Sequence, residues 1–322
     1  MPDIATLLER FRQGDRLALS RLLSSLARGE QTRTILSGLS PSPLVEEGRG
    51  EGYTIAITGS AGVGKSTLIG KLIAPIRESG HKVAVLACDP QSPLSGGALL
   101  GDRFRMTGNP DEGVFIRSLP ALSGHNALAD HLPAMIRLLS AAGFDVILIE
   151  TVGAGQGDTA VAELADKVIL LLQPETGDDL QWEKAGVLEV ADVIAVQKAD
   201  LPKAEQVAEQ VRAALELSDG PPIPVLLVSA KTGQNIAQLW QILSDTQGSE
   251  RSRDSRSTKE SELLRLAIAE MTRRFQQLQT HRSIEMQEVA NEYQQGRLSE
   301  REVGQVLFDL CSTCSDYPEK RG

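Results

Sequence analysis

The run "GSAGVGKST", Gly59 to Thr67, follows the apolar stretch "YTIAIT". Gly59, Gly64, Lys65 and Ser66 fit the spacing G-x-x-x-x-G-K-[ST]. That spacing serves one chemistry. The glycines, Gly62 among them, let backbone N–H groups turn inward around phosphates; the lysine reaches the outer phosphates; the serine hydroxyl faces Mg²⁺. A helix opening at Lys65–Thr67 aims its positive dipole end at the same point. A second acidic element lies in "FDVILIETVGAGQGD". An apolar run ends at Glu150, where a carboxylate can serve a metal or orient water, and Gly153 follows with a backbone N–H for the γ-phosphate. A third lies in "ACDPQSPLSGGALLGDR". Asp89 ends the second apolar run, which the usual winding sets beside the first, so that its carboxylate faces the metal. Asp102 sits in a Gly/Ser-rich loop of the kind that moves.

Base choice is written in "QKAD", Gln197 to Asp200, and "SAK", Ser229 to Lys231. In GTP-binding proteins the first reads N-K-x-D. Its aspartate accepts from the guanine N1–H and 2-amino groups, a donor pair that adenine lacks. Lys198 and Asp200 are present, but Gln197 stands for Asn. The extra methylene is expected to weaken the contacts by which Asn braces the loop. Ser229, Ala230 and Lys231 fall where a backbone donor meets the guanine carbonyl. Together the two pieces favour GTP over ATP.

Such residues need a frame that gathers strand ends. Seven apolar, β-rich runs supply one: "YTIAIT", "KVAVLAC", "GVFIRSL", "DVILIET", "KVILLLQ", "DVIAVQK" and "PVLLVSA". They are apolar throughout, as strands buried on both faces are. Helical segments alternate with them, which predicts an α/β fold with a mostly parallel sheet flanked by helices. Ahead of them, Ile4, Leu7, Leu8 and Phe11, then Leu19, Leu22, Leu23 and Leu26, repeat at helical spacing. After them comes the polar run "GSERSRDSRSTKESE", then Leu264, Ile268, Met271, Phe275 and Leu278 in steps of four and three. That stripe resembles a coiled-coil seam and predicts pairing with a second subunit. "SERE", Ser299 to Glu302, is a capping box ahead of a last helix. The expected organisation is a helical extension over 1–48, a nucleotide domain over 49–247, a linker over 248–260 and a helical arm over 261–322.

Composition narrows the partners. A net charge of -10 over 322 residues argues against a general nucleic-acid binder. Three cysteines make no disulfide framework. "MPDIATLLERFRQGDR" does not read as a signal peptide, and no apolar run nears the roughly 20 residues of a membrane helix. A cytoplasmic protein without membrane or nucleic-acid partners is expected.

The stretches "GSAGVGKSTLIGKL", "VAVLACDPQSP", "GGALLGDRFRM", "AGFDVILIETVGAGQ", "GDDLQWEKAGVLEVADV" and "KAD", with "GDRLALSRLL" in the prefix, closely resemble the methylmalonyl-CoA mutase-associated GTPases of the MeaB/ArgK type. The resemblance thins after the linker. It implies a homodimeric GTPase, binding GTP or GDP with Mg²⁺, that gates adenosylcobalamin loading onto an acyl-CoA mutase and protects that mutase. It implies that Asp89, Asp102 and Glu150 surround the metal with Ser66. It also implies a mobile segment from Gln173 to Gly186 that relays nucleotide state, with Gln156, Asp178 and Lys184 as switch residues. The chain departs from the pattern at Gln197, at "GAGQGD" (commonly "GVGQSE") and at "RSLPALSGHNALAD" (commonly "RSSPTRGTLGG"). Three other readings share the phosphate loop. An ATPase that positions DNA or septa carries a second lysine where this chain has Ser60. A nickel-type metallochaperone needs a His-rich tract or paired Cys and His ligands; this chain has four histidines and one C-x-x-C, "CSTC". A small-molecule kinase needs an acceptor pocket and a base, for which Arg103, Arg105 and His125 are the available groups.

Overall fold

The computed structural model describes residues 3–39, 52–89, 113–120, 127–151, 161, 164–174, 191–217, 222–245, 267, 271, 274–275 and 283–313. The chain divides into two compact units, Met1–Arg256 and Ser257–Gly322.

In the first unit the seven apolar runs form seven strands: β1 (Tyr53–Gly59), β2 (Val83–Asp89), β3 (Val114–Pro120), β4 (Val146–Glu150), β5 (Lys167–Leu172), β6 (Val193–Val196) and β7 (Val225–Leu227). All pairs are parallel, in the order β3-β2-β4-β1-β5-β6-β7. Parallel pairing puts every strand's carboxyl end on one edge. Strands β2 to β4 lie on one side of β1 and β5 to β7 on the other, so β1 sits where the winding reverses. Ligands of open α/β sheets bind at that point.

The winding corrects one expectation. Strand β2 does not lie beside β1; β4 stands between them, with Glu150 in register with Ile57 on one side and Ala87 on the other. Asp89 is therefore two strands from β1, roughly 10 Å away in the sheet plane. Local pattern could not supply this order, which is set by how the crossovers pack.

Alternate side chains feed two layers. Ile55, Ile57, Val85, Leu148, Ile169 and Leu171 face α4 (Lys65–Glu78) and α7 (Ile236–Ser244), where Leu68, Leu72, Ile76, Leu239 and Leu243 complete the layer. Ala56, Ala84, Leu86, Ile147, Ile149 and Val168 face the opposite way. That layer is closed by α5 (Ala127–Ala141) and by α1 (Ile4–Arg12), α2 (Arg16–Ala27) and α3 (Thr32–Ser37). The prefix helices thus share the main core. Helix α6 (Ala204–Glu216) covers β6 and β7 through Ala208 and Val211.

Helix α2 starts at Asp15, whose carboxylate accepts from Leu17 N (2.8 Å) and Ala18 N (3.2 Å). One face then runs along the edge strand β3. Arg16 donates to Val114 O and lies 5.7 Å over the Phe115 ring. Arg117 reaches back to Ser20 Oγ at 2.8 Å and Ser24 Oγ at 2.5 Å. Burial, with Arg28 near by, pushes the Arg117 guanidinium below its usual value. Arg16, Ser20 and Ser24 are four residues apart, one helical stripe against one strand.

The second unit contains α8 (Ser283–Gln294) and α9 (Glu300–Thr313), which pack on each other. The capping box forms: Ser299 N and Oγ donate to Glu302 Oε2 at 2.8 and 2.7 Å, and Glu302 N donates to Ser299 Oγ at 3.4 Å. Of the 4-3-4-3 stripe, Met271 and Phe275 are described, both helical. Met271 is exposed and Phe275 half-buried. Leu264, Ile268 and Leu278 lie outside the described residues.

Candidate functional site: a phosphate loop beside a base-reading loop

The loop after β1 turns through backbone that only glycine takes easily. Gly59 has φ 141°, and a Cβ there would come 2.5 Å from Leu171 O on β5. Gly64, φ 103°, is the N-cap of α4. Lys65 is buried and curls across the loop, its Nζ donating to Gly59 O at 2.7 Å and Ser60 O at 3.1 Å. An ammonium so held stands inside the ring of loop backbone, ready to exchange carbonyl oxygens for phosphate oxygens. Gly62 and Thr67 are exposed, the latter on the first turn of α4.

The first turn of α4 also meets β4. Ser66 Oγ donates to Glu150 Oε1 at 2.5 Å. Glu150 is buried at the end of the strand next to β1. A hydroxyl and a carboxylate oxygen in contact, at the mouth of a phosphate loop, fit Mg²⁺. That ion takes one or two protein oxygens and fills its octahedron with phosphate and water. Among the described residues no cluster of three His, Cys, Asp or Glu forms a metal cage. Asp89 ends β2 on the same edge of the sheet, but its side chain is not described. Asp102, Gly153, Gln156, Asp178 and Lys184 lie outside the described residues.

Gln197 braces the loop through three long contacts. It is buried after β6; its Oε1 accepts from Lys198 N and Ala230 N, both at 3.2 Å, and its Nε2 donates to Gly64 O at 3.5 Å. The longer side chain therefore spans from the base-side loops to the phosphate loop, with its weakest bond at the far end. The bracing expected to suffer is present. The same geometry occupies the Ala230 N–H, the donor expected to meet a guanine carbonyl. Guanine must then compete with Gln197 for that proton.

Asp200 is organised by the loop after β7. Its Oδ1 accepts from Ser229 Oγ at 2.6 Å, and Lys231 Nζ lies 3.8 Å from Oδ2. The Ser229 hydroxyl holds the carboxyl below its ordinary value, and Lys231 adds to this. Lys198, at φ 59°, turns the chain so that Asp200 can reach Ser229. A carboxylate kept ionised suits two N–H donors of a guanine edge.

Thr151 drew no notice in the sequence. It is buried directly after Glu150, and its Oγ1 has no hydrogen-bond partner. A polar residue closing the apolar run "DVILIET" was the available signal.

With this geometry in place, likeness to known proteins settles the family. The family described as "Methylmalonyl Co-A mutase-associated GTPase MeaB" matches residues 25–285. The chain belongs to that family. A Caulobacter vibrioides protein named "Putative GTPase" is 42% identical over 255 residues, covering 75% of this chain and 76% of that one. The Escherichia coli "GTPase ArgK" is 38% identical over 199 residues, covering 61% and 60%. A solved structure described as "LAO/AO transport system kinase" superposes with a TM-score of 0.65 over 96% of this chain and 97% of that one. At 24% identity it shows the fold alone. This MeaB-family chain is a P-loop GTPase that binds guanine nucleotide and hydrolyses GTP. Among the described residues no helix is long and apolar enough to cross a membrane.

Proposed function

We propose that this GTPase gates the loading of adenosylcobalamin onto an acyl-CoA mutase of the methylmalonyl-CoA type and protects that mutase, working as a homodimer in the cytoplasm with Mg²⁺ beside GTP. The observation that carries the reading is the family match across residues 25–285, whose description names the mutase. The Ser66–Glu150 contact supports the metal.

In this reading Lys65 and the loop backbone hold the β- and γ-phosphates. Ser66 and Glu150, with Asp89 and Asp102, hold Mg²⁺, which neutralises charge on the phosphate oxygens. Gly153 offers its N–H to the γ-phosphate. Asp200 reads the guanine edge, with Ser229, Ala230 and Lys231 behind it. Gln156, Asp178 and Lys184 carry nucleotide state to the client: a loop that changes with the γ-phosphate is a switch. "QPETGDDLQWEKAG" has four acids and two lone features, Lys184 and Trp182, and a nucleotide enzyme without a client has no use for so polar a segment.

The test is steady-state GTP hydrolysis with and without a cobalamin-dependent mutase. The mutase is expected to accelerate hydrolysis, and Lys184→Ala to remove most of that acceleration while intrinsic turnover changes little. If Lys184→Ala is stimulated as strongly as the parent, the relay runs elsewhere. If no mutase stimulates the parent, the client assignment fails.

A further inference from the structure

Thr151 is held in the sheet by its backbone: its N–H donates to Ile57 O at 3.1 Å, extending the β1–β4 ladder past Glu150. Its side chain is buried, yet Oγ1 has no hydrogen-bond partner. Several polar side chains around the same sheet edge are engaged, while Ser118 Oγ near the end of β3 is a second buried hydroxyl without a partner. Ser66 binds Glu150, Lys65 binds the loop carbonyls, and Gln197 and Asp200 bind their own loops. A buried hydroxyl without a partner loses its hydration and gains nothing for it. Valine has nearly the same shape and would sit there without that loss. Such a group in a native fold calls for a reason: strain, a catalytic role or an ordered water.

The nucleotide-loaded state supplies one. We propose that Thr151 is a positioning residue for GTP hydrolysis, whose hydroxyl, without a protein partner here, holds an ordered water when nucleotide and metal are bound, and so fixes the strand end that carries Glu150. The inference rests on Gly59–Thr67 as the phosphate site. In this structure Ser66 Oγ gives its proton to Glu150. When Ser66 turns its oxygen to a cation, Glu150 must take a new aim. The residue that follows it in the chain is the hinge of that change. A water on the Thr151 hydroxyl ties the new position down.

A structural hydroxyl and a state-dependent one give opposite signs on removal. The full-length parent, Thr151→Val, Thr151→Ser and Lys65→Ala are compared. Without nucleotide, Thr151→Val is expected to melt at or above the parent. Its kcat for GTP is expected to fall about tenfold with KM changed less than about twofold, and Thr151→Ser to recover kcat to within about twofold of the parent. A non-hydrolysable GTP analogue with Mg²⁺ should raise the melting temperature of Thr151→Val less than that of the parent. A Thr151→Val protein that melts below the parent without nucleotide, or that turns over like the parent, overturns the inference. Lys65→Ala separates the two levels. If it too hydrolyses GTP at the parent rate, the phosphate-site reading falls and takes this inference with it. If it is inactive while Thr151→Val is unimpaired, only the inference falls.

Discussion

Leu22, Leu23 and Leu26 in the first unit are wholly buried, whereas Met271, Tyr293 and Phe308 in the second keep 39%, 45% and 49% of their surface exposed. The contrast extends beyond these residues. Two cores fill both faces of the sheet with Leu, Ile and Val. Among the described residues of Ser257–Gly322, none is fully buried. Yet α9 is patterned for burial, with Val303, Val306, Leu307 and Leu310 half-covered along it. A domain needs at least two layers around its core. The first unit has three, helices on each side of a sheet, and completes itself. The described part of the second is a helix pair whose apolar side is only partly covered. Among the described residues, what differs is how far the apolar positions are covered.

The contrast places the phosphate loop in one unit and predicts a part in assembly for the other. The largest expected effect tests the first half. Lys65→Ala should lower GTP turnover by about 10²–10³-fold, the cost of removing a fixed charge from a phosphoryl-transfer site. Phosphate release from a protein of unchanged melting temperature reads this. Turnover near the parent's would place the chemistry outside the loop.

Next comes packing. Leu22→Ala should cost about 2–5 kcal/mol in denaturant unfolding, as truncation in a filled core does. Phe308→Ala should cost under about 1 kcal/mol at concentrations where the chain is monomeric, as for a surface site. The comparison is sharpened by repeating Phe308→Ala at high protein concentration. A cost that grows with concentration means that a second copy supplies the missing layer. Equal costs for the two variants at every concentration would erase the distinction.

The smallest effect concerns two exposed carboxylates, one in each unit. Asp200 is held below its usual value first by the Ser229 hydroxyl, Glu302 first by the Ser299 N–H. A folded value below the unfolded one means stability that is fully present above the ordinary carboxylate range. It is lost as pH falls through the lowered value. Titration followed by NMR should find both midpoints below ordinary Asp and Glu values, with only slight loss of stability on acidification because both groups are solvated. Ser229→Ala should move the Asp200 midpoint up and leave Glu302 unchanged. A midpoint for Asp200 that ignores Ser229→Ala would show that the loops after β6 and β7 do not hold each other.

Much of the frame is legible without coordinates because the information is local. "KVILLLQ" and "DVIAVQK" are apolar at every step, and a strand buried on both faces has no other pattern. The turn at Gly59 is likewise written in residue type, since a Cβ there would meet Leu171 O. What local pattern does not carry is which strand lies beside which. The placement of β4 between β2 and β1 depends on helices packing across both faces, and it makes Glu150 rather than Asp89 the acid next to the phosphate loop. The reach of Gln197 is not local either. A methylene too many matters only if the span is fixed, and Gln197 fits here because its Oε1 takes Ala230 N while its Nε2 still reaches Gly64 O. For Thr151 the sequence offers only a polar residue closing "DVILIET"; an absent bond has no further signature there.

The stripe of α2 along β3 has a consequence for how the chain is made. Ribosomes deliver the N-terminus first. Arg117 and its partners Ser20 and Ser24 are separated by 97 and 93 positions. Leu22, Leu23 and Leu26 must therefore wait, without their sheet, through roughly 5–20 seconds of synthesis at ordinary rates. Once β3 emerges, its edge has no cover until α2 swings back. From that moment a greasy helix and a bare strand edge share the same nascent chain, and strand edges left bare recruit other strands. A helper that shields the first forty residues during translation would raise the yield of this protein more than one acting after release.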